Sequence, residues 1–278
     1  MGKTKIVADS SANVLGLEQV LFGVAPLKII TRDKQFVDDA QLDVAQMVAY
    51  FDSYKDRSKT SCPNPSDWLD AFGDADEIFC ITITSGLSGS CNAANIAKQM
   101  YEAENPGRRV YVIDSLSAGP ELRLIIEKLE ALILQGLSYE EICQSISNYT
   151  QKTGLLFMLE SLKNFAANGR VSPAVAKIAG LLGIRIVGKA SDQGTLEPMD
   201  KCRGEWNSLD KLVSHLEVLG LINGKVRIDH CCNEAAALRL QEKIYSRIPG
   251  VDVKVSQCRG LCSYYAEKGG LLVGFEKI

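Results

Sequence analysis

The sequence of 278 residues predicts an α/β protein with two domains. Three apolar, β-branched segments, 5–8, 81–84 and 110–113, each end in residues with hydroxyl or carboxyl groups. In the first half, such segments alternate with helix-like ones, which is typical of parallel strands joined by right-handed crossovers. The second half has the pattern of hairpins and mixed α+β structure. We therefore predict an α/β domain with a parallel sheet over 1–150 and an α+β domain over 151–278.

In the first half, hydrophobic periodicity and capping signals define the elements. Pro65 and Ser66 are start signals for a helix, and Gly136 closes a helical stripe of apolar residues. The predicted strands and extended segments are 6–8, 25–30, 78–84 and 110–113. The predicted helices are 43–54, 66–72, 91–104, 121–135 and 140–152.

In the second half, turn-forming residues at 191–194 predict a hairpin between strands 184–187 and 195–199. Two helices are each followed by a strand, and a last apolar segment is expected to close the sheet. The remaining predicted elements are strands 155–159, 225–230, 251–256 and 270–275 and helices 209–219 and 235–246.

The composition is that of an ordinary globular protein, with 46% hydrophobic and 23% charged residues. A net charge of −3 gives no basic surface for nucleic acid. No apolar stretch approaches the roughly 18 residues that a membrane span requires. Because the N-terminus enters a charged, β-rich segment within a few residues, we expect no signal peptide and a cytoplasmic protein.

Nine cysteines are present, and several are clustered in the second half. Without a secretory signal, a disulfide framework is not expected. The residues His230, Cys231, Cys232, Cys258 and Cys262 could contribute to a zinc site, although no Cys-x-x-Cys pair occurs. Buried thiols that act as small hydrophobic side chains are the favoured interpretation. A metal-dependent regulator therefore remains an alternative, and no metal ligand is predicted.

Hydroxyl groups gather where the predicted strands end. In an open α/β sheet these ends line the ligand crevice, and hydroxyls beside free backbone N–H groups favour a bound anion. Thr60 and Ser88 are the leading candidates for that contact. A simpler role for Ser88 is that of a helix N-cap, which contributes about 1 kcal/mol. The residues expected to support the pocket around them are Ser61, Thr84, Ser85 and Gly89.

Four charged residues have two interpretations each. Asp9 and Asp114 follow strands, where an Asp-Ser pair commonly forms a turn, and they could equally support a pocket. Arg170 and Arg203 lie beside glycines and are either solvated or in contact with a partner or a ligand head group. No catalytic residue is predicted among them.

The chain resembles the DegV family of two-domain bacterial fatty-acid-binding proteins. The resemblance spans nearly the whole chain, and its motifs occur in the family's order. The matching segments are Asp9-Ser10-Ser11, Pro26-Leu27, Thr60-Ser61-Cys62-Pro63, Ile83-Thr84-Ser85-Gly86-Leu87-Ser88-Gly89-Ser90, Asp114-Ser115 and Asn168-Gly169-Arg170-Val171-Ser172. Weaker matches are at 192–194, 203–204 and 230–235.

The resemblance implies that a long-chain fatty acid lies in a tunnel between the two domains. In the family, the threonine of the Thr-Ser-x-Pro segment and the serine of the serine-glycine turn contact the carboxylate, and they correspond to Thr60 and Ser88. Some members present the fatty acid to an ATP-dependent kinase for phospholipid synthesis. The resemblance thus implies a non-catalytic lipid-binding subunit without a cofactor. The absence of a P-loop motif from this sequence agrees with that implication.

Two positions depart from the family pattern. Tyr265 stands where the family usually has a histidine that faces the carboxylate, and Cys62 replaces a common glutamine. A phenol can donate a hydrogen bond but carries no charge near neutral pH. Tyr265 is therefore expected to contact the head group, while the loss of the histidine weighs against transfer to a kinase.

A serine hydrolase is the enzymatic alternative. The segment 86–90 nearly matches the Gly-x-Ser-x-Gly nucleophile elbow, but Ser90 replaces its last glycine. Ser88 would be the nucleophile of an esterase or lipase-like enzyme, and His230 would be its base. His215 is the other histidine of the chain and lies in a helical pattern.

Overall fold

The structure is a computed structural model that describes residues 2–172 and 183–277. The strands are β1 (Thr4–Asp9), β2 (Leu21–Ala25), β3 (Lys28–Ile30), β4 (Gln35–Val37), β5 (Lys59–Ser61), β6 (Glu77–Thr82), β7 (Arg109–Asp114), β8 (Thr153–Leu159), β9 (Ile184–Ala190), β10 (Leu196–Arg203), β11 (Gly224–His230), β12 (Val251–Gln257) and β13 (Leu271–Glu276). The helices are α1 (Val44–Ser53), α2 (Pro65–Phe72), α3 (Ser90–Glu104), α4 (Pro120–Leu134), α5 (Tyr139–Thr150), α6 (Lys163–Ala167), α7 (Glu205–Val218), α8 (Glu234–Arg247) and α9 (Gly260–Ala266). A short 3-10 helix covers Ser10–Ala12.

The first half of the chain forms a four-stranded sheet in the order β2-β1-β6-β7. All of its neighbouring strands are parallel, as the alternation of elements predicted. One face is covered by α2 and α3, whose large apolar side chains include Trp68 and Phe72. The other face is covered by α4 and α5 through residues such as Leu122 and Ile142. Helices on both faces leave the carboxyl ends of the strands as the open edge of the sheet.

The second half forms a six-stranded sheet in the order β10-β9-β8-β13-β11-β12. Strands β11 and β12 are parallel and the other neighbours are antiparallel, which confirms the α+β pattern. The predicted hairpin is present as β9 and β10, with a register shift between Pro198 and Asp200. Helices α7 and α8 pack on one face of this sheet. Its other face points towards the first half of the chain. The division into domains 1–150 and 151–278 stays a prediction.

Helix α4 joins the two halves. It contacts strands of both sheets, and its Glu127 accepts hydrogen bonds of 2.7 Å from Nε and Nη2 of Arg227 on β11. The Arg227 side chain is almost completely buried, and its second carboxylate partner is Asp252 on β12. Within the described parts of the chain, no helix combines the length and the apolar character that crossing a bilayer requires.

The prediction of one extended segment over 25–30 is wrong. Strand β2 ends at Ala25 and β3 begins at Lys28 in a different sheet, because Pro26 has no N–H to continue the ladder. Strands β3, β4 and β5 form a separate antiparallel sheet in the order β4-β3-β5. Five further elements, β2, β4, β5, α6 and α9, were not predicted. Two of these, β5 and α9, carry Thr60 and Tyr265.

Candidate functional site

A cavity of about 330 Å³ lies between the open edge of the parallel sheet and the facing side of the six-stranded sheet. This volume is within the range of small-molecule sites, about 300–1,000 Å³. Most of its wall is apolar. The apolar lining residues are Leu27, Ile83, Leu87, Ala118, Leu155, Phe157, Leu159, Phe165, Ala190, Leu196, Leu261, Ala266 and Leu272.

Polar residues of the cavity wall come mainly from β5, the turn before α3 and the chain after α6. They include Thr60, Ser61, Ser88, Arg170 and Tyr265. Among the described lining residues, Arg170 is the only charged one, so no carboxylate faces the cavity. Hydroxyl donors together with one guanidinium favour a ligand that has a negative group at one end and an apolar body.

Thr60 and Tyr265 meet on this wall. The Thr60 Oγ1 and Tyr265 Oη atoms are 2.7 Å apart, and either hydroxyl can be the donor. The Tyr265 ring also packs on Phe165, with ring centroids 4.6 Å apart. Burial raises the pKa of Tyr265, and the hydrogen bond to Thr60 opposes that rise. The phenol therefore stays neutral at physiological pH and can donate a hydrogen bond to a ligand.

Helix α9, which carries Tyr265, is held in place by a buried carboxylate. Asp38 is completely buried and accepts hydrogen bonds of 2.8 Å from the backbone N–H groups of Gly260 and Leu261. Burial raises the pKa of Asp38, and these hydrogen bonds counteract the rise. No signal in the sequence pointed to Asp38, because its partners are more than two hundred residues away.

Asn168 connects the same helix to β5. Its Oδ1 accepts a hydrogen bond from the Thr60 N–H at 3.2 Å, and its Nδ2 donates to the Tyr264 hydroxyl at 3.0 Å. The Tyr264 hydroxyl is also 2.7 Å from Ser58 Oγ. Asn168 thus fixes the strand that presents Thr60. The Asn-Gly-Arg motif at 168–170 was a signal for this position, although a role was predicted only for Arg170.

Ser88 lines the cavity, but it is not the N-cap of α3. The helix begins at Ser90 and its N-cap is Gly89, which has no side chain that could cap the helix. Instead, Ser88 Oγ accepts a hydrogen bond of 3.2 Å from the Ser90 N–H. Because the backbone N–H donates in this contact, the hydroxyl proton of Ser88 is available to donate to a ligand. Gly89 also lines the cavity, as do Ser61 and Thr84.

Asp9 and Asp114 lie outside the described lining of the cavity and hold the loops that form it. Asp9 is completely buried and accepts hydrogen bonds from Ser11, from the Ile83 N–H at 2.8 Å and from the Ser90 hydroxyl at 2.7 Å. Burial raises its pKa against the effect of these bonds. Asp114 Oδ1 accepts from the N–H groups of Ser85 and Leu116 at 3.1 Å.

Ser85, which is predicted to support the pocket, has a different position from its neighbour Thr84. Its side chain is exposed, and it is not among the described residues of the cavity wall. Thr84, the preceding residue, is buried in the cavity wall, whereas Ser85 faces solvent.

The two predicted arginines have different positions. Arg170 lines the cavity, and its Nε donates to the Leu87 carbonyl at 3.2 Å while Nη1 donates to the Asn168 carbonyl. These bonds fix the guanidinium beside the Ser88 turn. Arg203 is exposed at the end of β10, the edge strand, and is absent from the described cavity wall. This position gives no support for a head-group contact by Arg203, and its contact with a partner stays a prediction.

A hairpin from the second half closes one side of the cavity. At its tip, Gly194 has a φ of +70°, and a β-carbon there would lie 1.9 Å from Thr84 Oγ1. On the facing turn, a β-carbon at Gly86 would lie 2.6 Å from the Gln193 carbonyl oxygen. Only glycine at these two positions lets the two backbones approach so closely.

The geometry does not form the Ser88–His230 pair of a hydrolase. Ser88 Oγ is bonded to the Ser90 N–H, whereas His230 Nδ1 accepts from the Asn233 N–H at 3.4 Å. His230 is also absent from the described lining of the cavity. His215 is bonded to Asp200, on the helical side of the six-stranded sheet.

The cysteines are free thiols, and Cys231, Cys258 and Cys262 are buried in an apolar cluster. Burial raises the pKa of Cys231 to about 12 and the pKa of Cys258 well above its usual value. Thiols that resist ionisation are poor metal ligands, because a metal binds the thiolate. Among residues 2–172 and 183–277, no group of three or more His, Cys, Asp or Glu side chains could hold a metal ion.

The model of the DegV family, described as "Uncharacterised protein, DegV family", matches residues 3–277. The chain is 44% identical over 276 residues to a DegV domain-containing protein of Streptococcus pneumoniae strain R6, covering 98% of both chains. A DegV family protein from Eubacterium eligens, solved loaded with heptadecanoic acid, is 45% identical with a TM-score of 0.97, covering 99% of this chain and 100% of that chain. The Streptococcus pneumoniae Fatty Acid Kinase (Fak) B3 protein, loaded with linoleic acid, is 43% identical with a TM-score of 0.97 and the same coverage. This chain therefore belongs to the DegV family.

Proposed function

We propose that this protein binds a long-chain fatty acid and does not itself catalyse a reaction. The observation that carries the proposal is the division of the cavity into a long apolar wall and a group of hydroxyls with one guanidinium. Thr60 and Ser88 are proposed to hold the carboxylate, with Tyr265 and Arg170 beside them. The acyl chain would then lie against the apolar wall, and no further cofactor is needed.

The relatives support this assignment. The proteins from Eubacterium eligens and Streptococcus pneumoniae are each loaded with a fatty acid and are more than two-fifths identical to this chain. The second of them is a fatty acid kinase B3 protein. We infer that this chain likewise presents its fatty acid to an ATP-dependent kinase, with phospholipid synthesis as the destination of the product.

The energetics assign different tasks to the two ends of the ligand. Burying a chain of 16 carbons gives on the order of 12 kcal/mol gross, at about 0.8 kcal/mol per methylene. Association costs of roughly 4–15 kcal/mol offset much of that gain. Hydrogen bonds to a charged group add about 1.5–3 kcal/mol each. The acyl chain therefore supplies affinity, while the hydroxyls select a carboxylate and fix its orientation.

Native mass spectrometry of the protein purified from bacteria, followed by denaturing lipid extraction, tests the binding function. We expect a bound mass that corresponds to a fatty acid of about 14–18 carbons, whose length suits one leaflet of a hydrocarbon core about 30 Å thick. A protein that is empty and also fails to take up added palmitate or oleate would contradict the proposal.

Substitution of Ser88 tests the position of the carboxylate. Ser88→Ala should weaken the binding of palmitic acid more than that of hexadecanol, because only the acid offers a charged acceptor. Ser85→Ala is the matched control, since this neighbouring serine is exposed outside the cavity. Equal losses for acid and alcohol would place the carboxylate elsewhere.

A further inference from the structure

The wall of the cavity contains an aromatic ring that lies on a glycine of the neighbouring strand. Phe157 on β8 is directly opposite Gly188 on β9 in the antiparallel register. A β-carbon at position 188 would lie 2.4 Å from Phe157 Cζ and 2.7 Å from Phe157 Cε2. Cross-strand neighbours point their side chains to the same face, so the ring occupies the space that a side chain at position 188 would need.

That face is the cavity side of the sheet. Alternate residues of β8, Leu155, Phe157 and Leu159, line the cavity, while Leu156 and Met158 pack into the opposite core against α7 and α8. Leu159 is at the end of β8 that leads to α6 and the Tyr265 contact. Phe157 is about 7 Å further along the strand. The ring is therefore in the middle of the apolar wall, where the acyl chain of a bound ligand would pass.

We propose that Gly188 is a positioning residue that determines which acyl chains fit, because it lets the Phe157 ring lie flat against β9. This inference rests on the proposed fatty-acid binding and assigns a residue that controls its specificity. Carbon atoms in contact are about 3.5–4.0 Å apart. A methyl group at position 188 must therefore push the ring about 1 Å or more towards the cavity. The cavity then becomes shallower at its middle without any change to the head-group residues.

The test is the ratio of the dissociation constants for stearic and lauric acid. In Gly188→Ala the displaced ring should weaken the binding of the longer chain. The ratio of the stearic to the lauric acid dissociation constant should therefore rise about tenfold, as expected for lost contact with about two methylene groups. A folded Gly188→Ala protein whose ratio equals that of the wild type would overturn the proposal.

The chain offers a matched control. Gly154 on β8 is opposite Phe275 on β13, and a β-carbon at position 154 would lie 2.8 Å from Phe275 Cζ. Phe275 packs in the core beside α7 and α8 and is not among the described lining residues of the cavity. Gly154→Ala should therefore destabilise the fold in the same manner while leaving the stearic-to-lauric ratio unchanged. A similar change of ratio in Gly154→Ala would overturn the proposal, because general loosening would then explain both.

A second variant covers the case in which Gly188→Ala fails to fold, since a β-carbon at 188 would also lie 2.5 Å from the Glu197 carbonyl oxygen. Phe157→Leu removes the ring, so the ratio of the stearic to the lauric acid dissociation constant should fall. In the Phe157→Leu background, the Gly188→Ala change should have little effect on the ratio, because no ring remains to be displaced. An unchanged ratio in Phe157→Leu would overturn the proposal.

Failure of the wild-type protein to bind either acid would instead contradict the proposed function.

Discussion

The hydroxyl groups of Thr60 and Tyr265 are 2.7 Å apart, although the two residues are 205 positions apart in the chain. Their contact joins β5 of the small sheet to α9, and both side chains line the cavity. Each hydroxyl has one proton, so only one of them can donate within the pair. The other proton remains for a ligand, and the pair together can present a donor to a carboxylate.

Removal of the Tyr265 hydroxyl should weaken the binding of a fatty acid. Tyr265→Phe keeps the ring on Phe165 but removes a donor worth about 1.5–3 kcal/mol when its acceptor is charged. We therefore expect the dissociation constant for palmitic acid to rise at least tenfold, measured by isothermal titration calorimetry. Tyr149→Phe is the control, because that phenol bonds to Glu276 away from the cavity. Unaltered affinity in Tyr265→Phe would exclude Tyr265 from the head-group site.

Alkylation of Cys62 should report whether the cavity is occupied. This thiol is half-buried and lines the cavity beside Thr60, whereas Cys232 is exposed elsewhere on the surface. Palmitic acid should slow the reaction of Cys62 with iodoacetamide and leave that of Cys232 unchanged, as followed by peptide mass spectrometry. If both thiols react at the same rate with and without palmitic acid, the ligand does not occupy this cavity.

The stability of the protein should depend on the ionisation of Asp229. Burial raises the pKa of this carboxyl group to about 6 from its usual 3.8, against the opposing effects of Arg123 and Asn13. Between these two values the folded state binds more protons than the unfolded state, so this group's contribution to the free energy of unfolding falls as the pH rises. The difference of about two pKa units corresponds to about 3 kcal/mol.

Asp229→Asn removes that dependence. Relative to the wild type, the free energy of unfolding of Asp229→Asn should increase by up to about 3 kcal/mol between about pH 4 and pH 7. Urea denaturation at a series of pH values measures this difference. A difference that stays constant over the range would show that Asp229 ionises normally in the folded protein.

The ion pair between α4 and β11 should be important for stability. Glu127→Gln removes the less exposed of the two carboxylate partners of the buried Arg227 guanidinium and leaves the half-exposed Asp252. Removal of one member of a buried pair costs about 3–5 kcal/mol, and we expect about 3 kcal/mol by urea denaturation because Asp252 remains. Glu140→Gln, which breaks the exposed pair with Arg109, should have little effect. If the two variants have similar free energies of unfolding, the buried pair contributes no more to stability than the exposed pair.

Regular elements and their order were predictable from the sequence. The strands that end at Asp9, Thr82 and Asp114 are long enough for their apolar pattern to be recognised, and their common edge indeed brings Thr84 and Ser88 to one cavity. The family resemblance is confirmed by the match over residues 3–277. The choice of Thr60 and Ser88 as carboxylate ligands remains a prediction.

Other parts of the site depend on contacts that no local pattern reveals. Strand β5 has three residues, too few to show periodicity, and it is defined by pairing with β3. Helix α9 begins with a glycine and contains two adjacent tyrosines, which are weak helix formers. It is stabilised by Asp38, which caps it from a distant part of the chain. The exposure of Ser85 and Arg203 likewise follows from the final orientation of a turn and an edge strand.

The close approach of Gly86 and Gly194 makes distant positions in the two halves of the chain interdependent. Either half can be exchanged with that of a relative only if the incoming half also has glycine at the corresponding position, or a backbone that lies further from the facing turn. A chimera joined near residue 150 that introduces a larger residue at either position would hold its halves apart and leave the cavity open along that side. Compatibility at these two glycines is therefore a design rule for recombining the specificities of related proteins.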